Sequence, residues 1–250
     1  MEIMESINTI EINTSDKYYN SQKIFYGKYQ TYRQMMDYDY YNNFTEERQQ
    51  IQDNIIDEII LNINSNHKNL WIIYTMGSYG SGKTHTLHNI NFLNLNEFVH
   101  IDPDKIKEKL PEVNEYTKLF PNSASTLLHK ESCFIALLLE YYCILNNIPI
   151  IVDGSLQAYE WYLEHIKFIR ENYKSYKICI IKVESELEIA LERCKKREKI
   201  TFRKIPEHII KSVYDKIPIS YEKLKDKVDL NIIVNNNKTP IIKNIVFNNI

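Results

Sequence analysis

Residues 76–86 read MGSYGSGKTHT, and this stretch holds three of the five glycines of a 250-residue chain, Gly77, Gly80 and Gly82. Gly77 to Thr84 match in full the spacing GxxxxGK followed by Ser or Thr. An apolar run, LWIIYTM (70–76), precedes the match and a helical pattern over 83–93 follows it. The spacing has a physical reason. A chain leaving a strand must wrap an anion with its N–H groups turned inward, which demands close backbone approach and dihedrals that side chains obstruct. The Lys83 ammonium then meets the β- and γ-phosphates, and the Thr84 hydroxyl ligates Mg2+. The helix that follows presents its positive end to the same charge. The expected nucleotide-binding residues are therefore Gly77, Ser78, Tyr79, Gly80, Ser81, Gly82, Lys83, Thr84 and Thr86. A glycine turn that merely contains Lys-Thr is the bland alternative, and the strand and helix on either side weigh against it.

Working outward, further short apolar runs occur at EFVHI (97–101), IPIIV (148–152), YKICIIKV (176–183) and LNIIVN (230–235). Helical patterns lie near 83–93, 103–110, 124–146, 158–173, 185–199 and 206–216. Continuous apolar strands alternating with helices predict a parallel sheet covered on both faces, the αβα sandwich of a P-loop NTPase. The chain divides into an N-terminal extension, 1–66, and a P-loop domain, 67–250. Residues 1–43 are polar, rich in Tyr and weakly periodic. From Thr45, a plausible N-cap, Ile51, Ile55, Ile59 and Ile63 recur at helical spacing. That helix can pack on the sheet or cover the cleft as an inhibitory segment, and its wide Ile stripe favours packing. NSNHKN (64–69) reads as a loop, and the Asn-rich 235–237 ends the core, leaving TPIIKNIVFNNI as an extra strand or a tail.

Composition bounds the partners. The formal charge is −2, so the whole molecule is no nucleic-acid magnet, although a local basic patch stays open. Cys133, Cys143, Cys179 and Cys194 form no CxxC pair and read as reduced, mostly buried thiols. The N-terminus lacks the basic start and apolar run of a signal peptide, and no apolar stretch approaches the roughly 20 residues needed to span a bilayer. The expected location is the cytoplasm, with no membrane partner.

The acids come next. In FVHIDPDKIKEKLPE, Asp102 and Asp104 lie at the carboxyl end of a strand, the edge where ligands bind in open α/β sheets. A carboxylate there can take a proton from a substrate hydroxyl or hold Mg2+ through water. Asp102 also fits an ordinary N-cap for the helix begun by Pro103, and Asp104 fits that reading less well. In IPIIVDGSL, Asp153 follows four apolar residues as in a Walker B strand, close to Mg2+ or substrate. In LERCKKREKITFRKIPEHI, helical phase puts Arg193, Lys196 and Arg197 on one face, and Thr201 to Ile205 reads as a loop before the helix at Pro206. A basic helix, a loop and a helix suit a lid over a triphosphate, where a well-placed arginine is worth roughly 10³–10⁵ in rate. A solvated charged face is the alternative; a nucleic-acid patch, lacking interleaved aromatics, is weaker. His129, Lys130 and Glu131 begin an apolar helix and face either the cleft or water.

Together these residues resemble the zeta-toxin family of P-loop kinases over about residues 70–235. After the phosphate loop the family has an IDxD strand end and a Pro, matched by Ile101, Asp102, Asp104 and Pro111. An acid-Gly-Ser strand end follows (Asp153, Gly154, Ser155), then a helix with Leu191, Glu192 and Arg193, then Arg203 with Pro206, and Ile217-Pro218 before Leu224. VDGSLQAYEWY and FTEERQQIQDNII look closer to eukaryotic or viral zeta-like proteins than to bacterial toxins. The resemblance implies a five-stranded parallel sheet in the order 2-3-1-4-5. It implies Mg2+ and ATP or GTP, with Thr84 and Asp153 at the metal. It makes Asp104 the general base, and Lys83, Arg193 and Arg203 the cations on the transferred phosphate. Asp104, Asp153 and Ser155 would serve the acceptor, a nucleotide sugar such as UDP-N-acetylglucosamine or another nucleotide-like molecule, and an antitoxin-like inhibitor is an implied partner. Asp102 at its strand end and Glu131 at the start of its apolar helix are further acceptor candidates from the residues themselves. Segments 112–132 and 156–165 match the family only loosely, and Asp153 stands where bacterial members commonly have Glu. Alternatives are a polynucleotide kinase, for which nucleic acid is the acceptor, or a nucleoside kinase; a nucleotide-binding regulatory protein without transfer activity; and a plain NTPase switch.

Overall fold

The computed structural model describes residues 10–61, 69–90, 93–201 and 205–248. The strands are β1 (Trp71–Met76), β2 (Val99–Ile101), β3 (Ile150–Val152), β4 (Lys177–Glu184), β5 (Leu230–Asn235) and β6 (Ile241–Phe247). The first helices are α1 (Thr14–Lys17), α2 (Gln30–Arg33), α3 (Glu46–Ile60), α4 (Lys83–Asn89), α5 (Pro103–Glu108) and α6 (Val113–Leu119). They are followed by α7 (Ala124–Leu127), α8 (His129–Leu145), α9 (Tyr159–Asn172), α10 (Leu187–Thr201) and α11 (Glu207–Leu224). No helix of the described residues is long and apolar enough to cross a membrane.

The strands form one sheet in the order β2-β3-β1-β4-β5-β6. The first five are parallel, in the order expected. The expectation of five strands is corrected to six, because Ile241–Phe247 pairs antiparallel with β5. Parallel neighbours need long crossovers, whereas the short bend through Asn236 to Pro240 can only return the chain antiparallel. A register shift between Ile233 and Val234 marks an irregularity in this pair. All of β6 is exposed, including Ile241 and Phe247, so among the described residues no helix covers either face of this edge.

Alternation along β1 divides the core into two layers. Ile72, Tyr74 and Met76 join the larger cluster with α5, α8, α9 and α11, while Ile73 joins a smaller one with Leu87 and Ile90 at α4. Helix ends differ from the sequence reading where local chemistry intervenes. The stretch 124–146 splits into α7 and α8, and α11 runs to Leu224 with Pro218 inside it. Tertiary burial of Ile217, Ser220 and Tyr221 holds that helix together past a residue that lacks an N–H.

Residues 10–61 share the main core. Tyr29, Met36, Phe44, Ile55 and Ile56 all belong to the larger cluster. Thr45 caps α3, its hydroxyl accepting from the Arg48 N–H. The buried face of α3 is more polar than apolar, with Arg48, Gln49, Gln52 and Asp53 beside Ile55 and Ile56. These groups are satisfied in pairs. Arg48 donates to both carboxylate oxygens of Glu112, at 2.9 and 2.9 Å, and of Glu131, at 2.7 and 2.8 Å. Gln52 donates to Glu131 at 2.9 Å, and Arg33 pairs with Asp53 at 2.7 Å. Tyr18 donates to Glu112 and lies 4.2 Å from the Arg48 guanidinium. Burial raises the Glu112 carboxyl, but Arg48 and Tyr18 together hold it below its usual range. One guanidinium thus ties the N-terminal segment to the start of α6 and to α8.

Removing one member of a buried ion pair leaves an uncompensated charge and costs about 3–5 kcal/mol. Arg48→Met is expected to lower the unfolding free energy by about that amount in urea titrations. The triple variant Arg48→Met, Glu112→Gln, Glu131→Gln is expected to regain part of the loss. A chain beginning at residue 64 is expected to be insoluble, because it uncovers the core face now filled by Tyr29, Phe44 and Ile56.

Candidate active site

β1 ends at Met76 and α4 begins at Lys83, so residues 77–82 form the turn between them. Gly80 and Gly82 take φ of +76° and +84°, in the left-handed region that a side chain disfavours. Space excludes a side chain as well. A Cβ on Gly80 would collide with the carbonyl oxygen of Ala190 in α10, and one on Gly82 with the Asn236 amide after β5. The glycines therefore admit protein packed behind the loop, in addition to shaping a cradle for phosphate.

That packing is polar. Asn236, nearly fully buried, donates to the Ser81 carbonyl at 2.8 Å. Arg193 lies against the Gly80 and Ser81 carbonyls, at 3.5 and 3.3 Å, and donates to the Asn237 carbonyl at 3.3 Å. The arginine expected to act on phosphate thus braces the loop from α10. Arg203 lies outside the described residues. Asn236 was invisible as a site residue, since its stretch reads only as the end of the core. Its signal was polarity following directly on a buried strand.

Lys83 folds back on the loop, its ammonium 3.2 Å from the Gly77 carbonyl and 3.4 Å from that of Ser78. Ser78 and Ser81 are buried, and Tyr79 packs partly buried against the larger core. Thr86 is fully buried within α4, its hydroxyl without a partner. Thr84 is exposed, and its hydroxyl donates to Asp153 at 3.1 Å. The other Asp153 oxygen accepts from Thr75 at 2.8 Å, and the Gly154 N–H donates to the same Thr75 hydroxyl at 3.1 Å. Thr75 was also missed; a lone hydroxyl in the apolar run WIIYTM was its signal. An exposed hydroxyl beside a fixed carboxylate, next to an anion cradle, is a donor set that suits Mg2+.

Asp102 caps α5, accepting from the Asp104 N–H at 2.8 Å. Its carboxyl is pushed above the usual aspartate range by burial first, and then by the charges of Asp153 and Asp104. The acids of β2 and β3 therefore feel one another across the carboxyl edge of the sheet. Asp104 pairs with Lys107 at 3.3 Å. Ser155 is half-buried and accepts from the Gln157 N–H at 3.4 Å. The next residue, Leu156, is buried at a φ of +56°, a strained conformation for a branched side chain. Glu131 does not join these groups. It is fully buried and both its oxygens are taken by Arg48, so its placement does not fit an acceptor contact. The physical reason is the neighbouring guanidinium, supplied from a segment 83 positions earlier.

Residues 62–246 match the family model described as zeta toxin. No curated protein matches the chain. Among solved structures, one from the PezAT chromosomal toxin–antitoxin system of Streptococcus pneumoniae is similar at 15% identity and a TM-score of 0.66, over 80% of this chain and 82% of that one. A chain of the native AvrRxo1-ORF1:ORF2 complex is similar at 16% identity and a TM-score of 0.69, over 96% and 78% of the two chains. The same complex with ATP gives 15% identity and 0.68, over 94% and 77%. At such identities the likeness is one of fold, and in the AvrRxo1 complex it extends into the N-terminal segment. With one family model covering most of the chain, and with a phosphate loop, a hydroxyl and strand-end acids gathered on one edge of the sheet, the chain belongs to the zeta-toxin family of nucleotide-dependent P-loop kinases.

Proposed function

We propose that the chain transfers the γ-phosphate of ATP or GTP to a hydroxyl of a small nucleotide-like acceptor, UDP-N-acetylglucosamine or another nucleotide sugar, in the cytoplasm. The observation that carries this reading is the joining of Thr84 and Asp153 beside the phosphate loop, with Asp102 and Asp104 on the adjacent strand end. The loop amides and Lys83 would hold the β- and γ-phosphates. Mg2+, held by Thr84 and Asp153, would supply charge neutralisation across those two phosphates. Asp102 and Ser155 would orient the acceptor. Asp104 would take the proton of its hydroxyl. The acceptor oxygen then bonds to the γ-phosphorus while the bond to the bridging oxygen breaks, and the nucleoside diphosphate leaves with the electron pair. Arg193 and Arg203 would offset charge on the group in flight. Similarity to a toxin–antitoxin structure supports an antitoxin-like protein as the regulator.

Incubation with γ-labelled ATP or GTP, Mg2+ and a panel of nucleotide sugars tests the reading. Label is expected on a sugar hydroxyl. Label on RNA or DNA ends alone would make the chain a polynucleotide kinase instead. Lys83→Ala and Asp104→Ala are each expected to slow transfer by about 10²–10⁴-fold, the usual worth of a positioned acid or base. Only Lys83→Ala is expected to weaken nucleotide binding strongly in calorimetry. Full turnover by Asp104→Ala would remove it from the role of base. Gly80→Ala is expected to lower both nucleotide affinity and Tm, since the loop and α10 must part to accept a methyl group.

A further inference from the structure

α5 carries two lysine–acid pairs at the same spacing, and they differ in one respect. Lys105 and Glu108 are 3.0 Å apart with side chains 68% and 59% exposed, an ordinary solvated pair. Lys107 and Asp104 are 3.3 Å apart, but the Lys107 side chain is only 8% exposed. Its ammonium also donates to the Ser125 hydroxyl of α7 at 3.1 Å. Lysine is among the residues least often buried, and withdrawing its charge from water is costly unless acids and acceptors surround it.

The surroundings fit that requirement. Asp104 and Asp102 lie on the same turn, and Asp153 stands on the neighbouring strand end. Across from α5, Cys133 of α8 lies within electrostatic reach of both Lys107 and Asp104. The charges of Asp104 and Asp153 act on Asp102, and a carboxylate crowded by like charges tends to turn away from them. A cation fixed at two points opposes that outcome.

Resting on the reading of Asp104 as the base, we infer that Lys107 is a positioning residue for phosphoryl transfer. Its buried ammonium, anchored on Ser125, clamps one oxygen of Asp104 and holds that carboxylate at the acceptor place in a single rotamer. Lys107 touches neither nucleotide nor acceptor; it acts through Asp104. A residue of this kind changes turnover and leaves nucleotide affinity alone.

Phosphate release from Mg2+ and ATP into water tests this without a named acceptor. Water then stands in the acceptor place: its proton passes to Asp104, its oxygen bonds to the γ-phosphorus, and ADP leaves. Lys107→Met is expected to lower kcat at least about ten-fold with KM for ATP within about two-fold, and Lys107→Arg to regain most of the loss. In an Asp104→Asn background, Lys107→Met is expected to add less than about two-fold, since the residue it acts through is already disabled. A Lys107→Met enzyme with wild-type kcat overturns the inference. So does an equal further loss in the Asp104→Asn background, which would make Lys107 a structural residue. Asp104→Asn hydrolysing ATP at the wild-type rate overturns the base reading itself, and is told apart because it needs no change at Lys107. Should Lys107→Met not fold, Ser125→Ala, which frees the ammonium from its second anchor, is read in the same way.

Discussion

The structure depends on one constraint: the backbone between β1 and α4 must turn through left-handed dihedrals while protein packs directly behind it. That double demand removes Cβ atoms at Gly80 and Gly82, where a side chain would collide with Ala190 and Asn236. The remaining site is arranged around this turn. α4 presents Thr84, β3 brings Asp153 to it, and β1 contributes Thr75 to hold the other oxygen of Asp153. α10 and the bend after β5 supply Arg193, Asn236 and Asn237 as the outer support of the loop. The loop's shape is therefore set by contacts from two elements distant in sequence, α10 and the bend after β5, and not by its own residues alone.

A second organising force is charge in places water does not reach. The Arg48 guanidinium lies between Glu112 and Glu131, and the Lys107 ammonium lies between Asp104 and Ser125. Both are buried cations, each paired with carboxylate oxygen from other positions. Apolar packing supplies the bulk of the stabilisation in each layer. The Arg48 ion pairs join segments distant in the chain, and a charge left without its partner there is costly.

Much of this was legible in the chain. The phosphate loop and the five parallel strands could be read because buried strands are continuous apolar runs and the glycines punctuate them. Asp102 could be read as a cap, and Asp153 as a strand-end acid, because each follows its strand directly. β6 was legible only as a strand or a tail, since IIKNIVF carries no burial alternation when both faces are exposed. The helical pattern near 206–216 extends to Leu224 in the structure, past Pro218, where burial of Ile217, Ser220 and Tyr221 holds the helix. Glu131 was assigned to the acceptor because nothing local announces Arg48, 83 positions earlier. Arg193 was read as a cation for the transferred phosphate, and its contacts to the Gly80, Ser81 and Asn237 carbonyls could not be read, because those partners belong to other elements. What escaped were long-range polar contacts, which leave no periodic trace.

The shared guanidinium has a consequence for inheritance. Glu112 and Glu131 sit in separate segments, yet the one Arg48 guanidinium neutralises both. Exchange of either acid leaves Arg48 paired with the other, whereas exchange of Arg48 strands both acids at once. The N-terminal segment is bound to the same bargain, so a gene rearrangement that trims it would orphan two acids inside the catalytic half of the protein.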